Sequence, residues 1–215
     1  MTGWQDRYQA YRESPGHAAG DDLDLVVDWC RPGPGVTALD VATGGGHVAD
    51  RLRAQGCAVT TCDLEPAMRP DVVCPADRMP FADRTFDTVV CRIAAHHFPD
   101  VAAAVREMGR VCRERLVIED TLFHSDAHEQ AERLRDPGHV RALAAAEWES
   151  LIESAGLRPE RQAVLAKQHD VDAWLARAGC TGATAQRVRE LIADAVDDGV
   201  YTDQKLVLRA LRGNA

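Results

Sequence analysis

The chain has 215 residues, 46% of them hydrophobic and 27% charged, with a formal net charge of -9. That length favours one domain with a sizeable core, and the composition is ordinary for a soluble globular protein. The acid excess disfavours a general nucleic-acid surface, which needs a basic stripe, and no run approaches the ~18 apolar residues of a membrane span.

The chain opens with Trp4, Tyr8 and Tyr11 on one helical face, either a packing helix or a lid over a ligand. This stretch is polar and aromatic, so no signal peptide is expected in it. After the Ser14–Gly20 loop, Asp21 or Asp22 can cap a helix that turns Leu23, Val26, Val27 and Cys30 inward. Pro32-Gly-Pro-Gly35 stops it. A strand follows at Ala38–Val41, then a turn with Gly44, Gly45 and Gly46, then a helix over His47–Gln55. The second strand, Cys57–Cys62, ends on Asp63, and 71–74 is a short third. Phe86–Cys91 is a fourth, a helix starts at Pro99 or Asp100, and Leu116–Ile118 is a fifth.

Strands alternating with helices predict an α/β fold with a single doubly wound, Rossmann-like sheet and helices on both faces. From residue 126 helical runs take over, at 126–135, 146–155, 170–178 and 184–198. Arg161–Gln168 and Lys205–Leu211 are strand candidates among them, so the mostly parallel sheet is expected to carry an antiparallel C-terminal strand. The whole chain, 1–215, reads as one domain. Residues 1–30 would be an N-terminal helical lid, and 120–145 with 170–200 a helical cover. Residues 184–211 could supply an interface, so monomer and homodimer are both open.

The seven cysteines have no C-x-x-C pair and read as reduced core residues of a cytoplasmic protein. Arg110, Arg113 and Arg115 read as a solvated helix end. The glycine turn lets backbone N–H groups approach a ligand at the sheet's edge. It lacks both the Lys-Ser/Thr of a phosphate loop and the G-x-G-x-x-G of a nicotinamide site. Asp40 beside it would repel pyrophosphate; it suits a cationic or hydroxyl-bearing ligand, or it can orient the turn by accepting backbone N–H bonds. Asp63 lies 19 residues after Gly44, where an acid accepts hydrogen bonds from ribose hydroxyls. His96 and His97 are candidate bases, because imidazole titrates near neutrality; one could instead pack on the sheet and the other cap the next helix. No third ligand accompanies them at sensible spacing, so no metal is expected. His124 and His128, four apart, read as surface residues on one helix face.

LDVATGGGHVA, TTCDLEPAM, ADRMPFADRTFDTVVCR and CRIAAHHFPDVAAAVREMGRVC together resemble the class I S-adenosylmethionine-dependent methyltransferases. The likeness is to the ubiquinone/menaquinone-type small-molecule branch, with a methyltransferase type 11-like domain. RDPGHVR, EWESLIESAGL and the Tyr11, Ser14, His17, Gly20, Asp22, Leu23 pattern extend it over nearly the whole chain.

The resemblance implies S-adenosylmethionine as cofactor. Gly44 and Gly46, with Ala42 where the family usually has Gly, would pass under its methionine part, and Asp40 would hold that end. Asp63 would bind the ribose, Leu64 and Met68 would pack on adenine, and Ala76 and Asp77 would line its edge. The backbone of Cys91 or Arg92 would meet the methionyl amine, and His97 would approach the methyl group. Tyr11, His17, His139 and Arg141 would touch substrate. The sequence departs from the family in a short Asp63–Pro80 segment, in Pro75 where an Asp is common, and in Arg113-Glu-Arg115 where a Gly-Gly turn is usual.

The expected activity is methyl transfer to O, N or C of a small acceptor, with a quinone-like or aromatic metabolite as the first candidate. A cyclase-like reaction on the same cofactor and a non-catalytic binding protein are the alternatives.

Overall fold

The computed structural model describes residues 9, 12, 13 and 18–213. The aromatic stripe at Trp4, Tyr8 and Tyr11, and His17, lie outside the described residues. The elements are α1 (Asp21–Trp29), β1 (Thr37–Val41), α2 (His47–Ala54), β2 (Ala58–Asp63), β3 (Val72–Val73), β4 (Phe86–Arg92), α3 (Val101–Val111) and β5 (Cys112–Thr121). Then come α4 (Asp126–Arg135), α5 (Ala145–Ser154), β6 (Leu157–Asp170), α6 (Val171–Arg177), α7 (Gly182–Leu191), β7 (Val196–Asp197) and β8 (Val200–Arg212). No helix among the described residues is long and apolar enough to cross a membrane.

One sheet runs β3-β2-β1-β4-β5-β8-β6, with β7 paired to β8. The first five of these strands are parallel, and β8 joins β5 antiparallel, with β6 and β7 antiparallel to β8. The C-terminal addition is antiparallel, as expected, and comprises three strands, with β8 lying between β5 and β6. The strands' period-2 alternation sorts side chains to two faces. Leu39, Val89, Cys91, Leu116, Ile118, Leu206 and Leu208 pack with Val105, Met108, Trp148 and Ile152 from α3 and α5. Ala38, Val90, Val117 and Val207 pack with Leu23, Val26, Val27 and Leu52 from α1 and α2. A third core, with Ala131, Trp174, Leu175, Val188, Ile192 and Tyr201, belongs to the C-terminal helices.

Several local readings change. α1 is capped by Gly20 without a side-chain bond, not by Asp21 or Asp22. Asp22 is instead buried, where it meets Arg92 at 2.6 Å and also Lys167. Arg92 in turn holds Glu119 at 2.6 Å. β5 begins at Cys112 because α3 runs straight into it, so Arg113 and Arg115 are strand residues. Arg110 is no solvated helix end: it donates to the carbonyls of Met79 and Phe81 and pins the loop before β4. The expected 184–198 helix stops at Leu191, and a 3-10 turn (Ala193–Ala195) leads into β7. Only a 3-10 turn (Pro66–Met68) links β2 to β3, as the short Asp63–Pro80 segment requires. All seven cysteines are buried and unbridged.

The Asp22–Arg92–Glu119–Lys167 cluster ties α1, β4, β5 and β6 together behind the sheet's C-terminal edge. Burial opposes the charge on Asp22, but Lys167 and Arg92 hold its carboxyl well below the usual range. Burial pushes Glu119 up to about 7 against the pull of Arg92, and the Asp22 carboxylate adds to the rise. Removing one member of a buried ion cluster strands its partners at a cost of about 3–5 kcal/mol. Asp22→Ala is accordingly expected to lower unfolding free energy by about that amount in urea titrations. A loss below about 1 kcal/mol would mean the cluster behaves as a surface pair.

Candidate functional site

The strand order reverses between β1, which continues toward β2, and β4, which continues toward β5. Chains leaving the C-terminal ends of β1 and β4 therefore turn to opposite sides and leave a crevice, the usual ligand position in such sheets. Register places Val41 beside both Cys62 and Cys91, so the three strands end level. A cavity of ≈ 450 Å³ opens there.

The cavity brings together Asp40, Ala42, Gly44, Asp63, Leu64 and Met68 from the first two strand ends, Ala76 and Asp77 from the loop after β3, and Arg92 and His97 after β4. The turn is fixed from both sides. Asp40 Oδ2 accepts the Thr43 hydroxyl at 2.7 Å and the Ala49 N–H at 3.3 Å. Asp63 Oδ2 accepts the Gly44 N–H at 3.0 Å, and its Oδ1 accepts the Glu65 N–H at 3.0 Å. Each carboxylate oxygen has a second lone pair, so Asp63 can still accept from a diol. Gly46, at φ 77, is the N-cap of α2 and supports the turn from outside the cavity lining. Ala42 at φ 54 and Ile93 at φ 50 are left-handed non-glycine residues, and both line the cavity. Strain of this kind, about 1–3 kcal/mol each, gathers at ligand sites.

The remaining expected residues lie elsewhere. Cys91 is fully buried and faces the α3 core instead of the cavity. His96 turns inward: its Nδ1 lies 2.5 Å from Asp120 Oδ1, and its N–H donates to Asp120 Oδ2 at 2.8 Å. His139 is buried against Glu129, 3.1 Å away. Arg141 is exposed and pairs with Glu147. Tyr11 lies outside the described residues, as does His17. The RDPGHVR segment does reach the cavity, but through Asp136 and Gly138. It hangs from the carbonyl of His96, which accepts Val140 N–H at 2.8 Å and Arg141 N–H at 3.1 Å. Thr43, Glu65, Ile93, Phe98 and Asp100 also line the cavity and were not expected. Their signal was position alone, within the loops that follow the strand ends.

His97 Nδ1 lies 2.9 Å from the Gly138 carbonyl. A carbonyl only accepts, so Nδ1 carries the proton and the neutral ring keeps its lone pair on Nε2. Burial, and then the neighbouring His96, lower the His97 pKa, so this base is neutral at pH 7. Burial disfavours charge on His96 too, yet Asp120 raises its pKa on balance.

The lining is acidic, with Asp40, Asp63, Glu65, Asp77, Asp100 and Asp136 against the guanidinium of Arg92. That guanidinium is already engaged by Asp22 and Glu119. Such a donor set suits a cation bearing hydroxyls and opposes a pyrophosphate. It fits S-adenosylmethionine, with its ammonium, sulfonium and ribose diol.

The model of a methyltransferase domain family matches residues 39–117. The uncharacterised methyltransferase YcgJ of Bacillus subtilis is 28% identical, over 89% of this chain and 83% of that one. The crystal structure of a candidate methyltransferase from Bacillus halodurans superposes with a TM-score of 0.82 at 29% identity, covering 91% of this chain and all of the other. In sequence and fold the chain is similar to the class I S-adenosylmethionine-dependent methyltransferases. A ubiquinone/menaquinone biosynthesis C-methyltransferase, UbiE of Cereibacter sphaeroides, is 33% identical over 108 residues, which is 42% of this chain and 43% of that one. The protein is thus a methyltransferase, with S-adenosylmethionine as methyl donor. When bound, that cofactor supplies a methyl group already activated by the sulfonium.

Burial, chiefly, pushes the Asp40 carboxyl up to about 6. An acid whose folded pKa is raised favours folding most below its unfolded value, and that contribution is lost as pH rises through about 6. A cationic ligand reverses the preference by favouring the carboxylate. Affinity for S-adenosylmethionine is therefore expected to fall as pH drops through about 6, by up to about tenfold per unit. Calorimetry between pH 5 and 8, with Asp40→Asn flattening the profile, checks this. Asp63→Ala should weaken S-adenosylhomocysteine binding by about 1–3 kcal/mol, read as a roughly 5- to 150-fold rise in Kd; an unchanged Kd would remove Asp63 from the site.

Proposed function

We propose that the enzyme methylates a small acceptor at O, N or C, and that the acceptor is an aromatic or quinone-like metabolite. The observation that carries this is the continuity of the cavity. It runs from the glycine turn and Asp63 to Ile93, Ala94, Phe98 and Pro99, and then to His97, Asp136 and Gly138. The first part has the acids for the cofactor. The second has an apolar wall beside a neutral imidazole. A volume of ≈ 450 Å³ lies within the range of small-molecule sites, and the acidic rim disfavours a polyanion.

Asp40, Ala42 and Gly44 hold the methionine end in this reading, and Asp63 holds the ribose. Leu64 and Met68 flank adenine, with Ala76 and Asp77 at its edge. Leu64 is 69% exposed, which suits a side chain awaiting a flat ring. Pro75 offers no side-chain acceptor to adenine, leaving that edge to Asp77 and the loop backbone. The backbone of Arg92 meets the methionyl amine. Arg12 donates to the Gly45 carbonyl at 2.6 Å and pairs with Asp50 at 2.7 Å. These contacts support an N-terminal segment lying across the turn as a lid, with α4 and the loop after it as a cover on the opposite rim.

Methyl transfer asks the protein mainly for alignment, and proximity supplies most of the rate. A base is needed only where the nucleophile must lose a proton. His97 Nε2 takes that proton, while the Gly138 carbonyl fixes the ring. His96, clamped by Asp120, positions both through its backbone.

The test is a metabolite screen with methyl-labelled cofactor that scores labelled aromatic and quinone-like products. Label appearing only on aliphatic amines would overturn the acceptor class. With the acceptor in hand, His97→Ala is expected to lower kcat by about 10²–10⁴-fold and to leave the S-adenosylhomocysteine Kd nearly unchanged. Parallel loss of both would make His97 structural.

A further inference from the structure

A second cluster lies away from the cavity, where the start of α4 meets the 3-10 turn before β7. His124 and His128 do not share a helix face, because His124 precedes the N-cap Ser125. The third core packs α4 on α7 through Ala131, Val188 and Ile192. That packing carries Asp194, in the Ala193–Ala195 turn, to the two imidazoles. His128 Nε2 lies 3.5 Å from Asp194 Oδ1, and His124 Nε2 lies 3.8 Å from Asp194 Oδ2. One donor atom from each of the three residues falls within 4.8 Å of the others.

The donor that points to a ligand is His128 Nε2. The residue is 5% exposed, and this nitrogen is buried without a hydrogen-bond partner. A buried polar atom left so costs about 1–3 kcal/mol. The other ring nitrogen is held: Nδ1 lies 2.9 Å from Ser125 Oγ, which also accepts the His128 backbone N–H at 3.3 Å. With the ring proton on Nδ1, donated to Ser125, Nε2 presents its lone pair toward Asp194. Fixing one imidazole nitrogen so that the other can ligate is the usual outer-shell arrangement of a metal-binding histidine.

We propose that His124 Nε2, His128 Nε2 and an Asp194 carboxylate oxygen form a site for a divalent cation of the Zn²⁺ class, with a fourth position open to water. The spacing fits that ion. Ligand bonds of ~2.1 Å in a tetrahedron put donor atoms ~3.4 Å apart; the imidazole nitrogens lie 3.5 and 3.8 Å from one or other Asp194 oxygen, so a small side-chain rotation brings one oxygen to both. Two imidazoles with one carboxylate select a borderline metal over Mg²⁺ or Ca²⁺, which prefer all-oxygen shells. The two exposed ligands, His124 and Asp194, give the ion an entry path. Once bound, it clamps the start of α4 to the turn before β7. α4 leads directly into Asp136 and Gly138 on the cavity rim, so the ion braces the cover above the acceptor. No step of methyl transfer depends on it.

The test uses the untagged full-length protein after chelator treatment. Competition against a chromophoric chelator is expected to show one Zn²⁺ per chain and a rise in Tm. Asp194→Asn and His124→Ala alter exposed side chains. Each is expected to weaken Zn²⁺ by at least about tenfold and to abolish most of the Tm rise, with the S-adenosylhomocysteine Kd of the metal-free protein unchanged. Co²⁺ should give visible bands of a nitrogen/oxygen site. Absence of stoichiometric binding, equal affinity in both variants and the parent, or a thiolate charge-transfer band from the cysteines would each overturn the proposal.

Discussion

The reversal of strand order between β1 and β4 is the constraint on which the rest of the molecule depends. Parallel neighbours need crossovers, and crossovers that leave in opposite directions cannot cover the gap between them. Asp40, Ala42, Gly44, Asp63, Leu64, Met68, Ala76 and Asp77 reach the cavity because each lies at or past the C-terminal end of β1, β2 or β3. The backbone at this edge is under strain. Ala42 and Ile93, the first residues after β1 and β4, both adopt left-handed conformations, and Ile93 is β-branched, the type least suited to it. The buried cluster of Asp22, Arg92, Glu119 and Lys167 lies behind this edge and holds α1, the end of β4, β5 and β6 in one place.

Charge then decides what the crevice accepts. A dinucleotide site answers pyrophosphate with a helix N-terminus and a glycine turn that carries no acid. Here Asp40 is buried beside the turn and Asp63 is bonded to its backbone. Both have raised pKa values, principally through burial. They are carboxylates kept from water and short of cationic partners, which is a poor arrangement for an isolated protein and a good one for binding a cation.

The acceptor side is assembled differently. Its rim comes from a 3-10 turn after β4 and from a loop some forty residues later in the chain, joined through the carbonyl of His96 and the carbonyl of Gly138. Of the two adjacent histidines, one is locked to Asp120 and the other is presented to the cavity. The third core, built wholly from C-terminal helices and Tyr201, sets where that loop lies. It is also what brings Asp194 to His124 and His128.

Most of the sheet was legible in the sequence, because period-2 apolar runs and glycine turns are local signals. So was the glycine-turn side of the cavity: Asp40, Gly44 and Asp63 line it from short motifs at strand ends, and a strand end has one place to go in a doubly wound sheet. The chain could not show which way a side chain turns when two like residues are adjacent, and so did not separate His96 from His97. Nor could it show that RDPGHVR would offer Asp136 and Gly138 while burying His139 and pairing Arg141 outward. Those choices follow from partners distant in sequence, namely Asp120, Glu129 and Glu147. Local pattern therefore determined the fold and the residues at the strand-end edge of the cavity. The acceptor wall and the His124, His128, Asp194 cluster were decided by tertiary packing, because their geometry is set by contacts between segments that carry no common period.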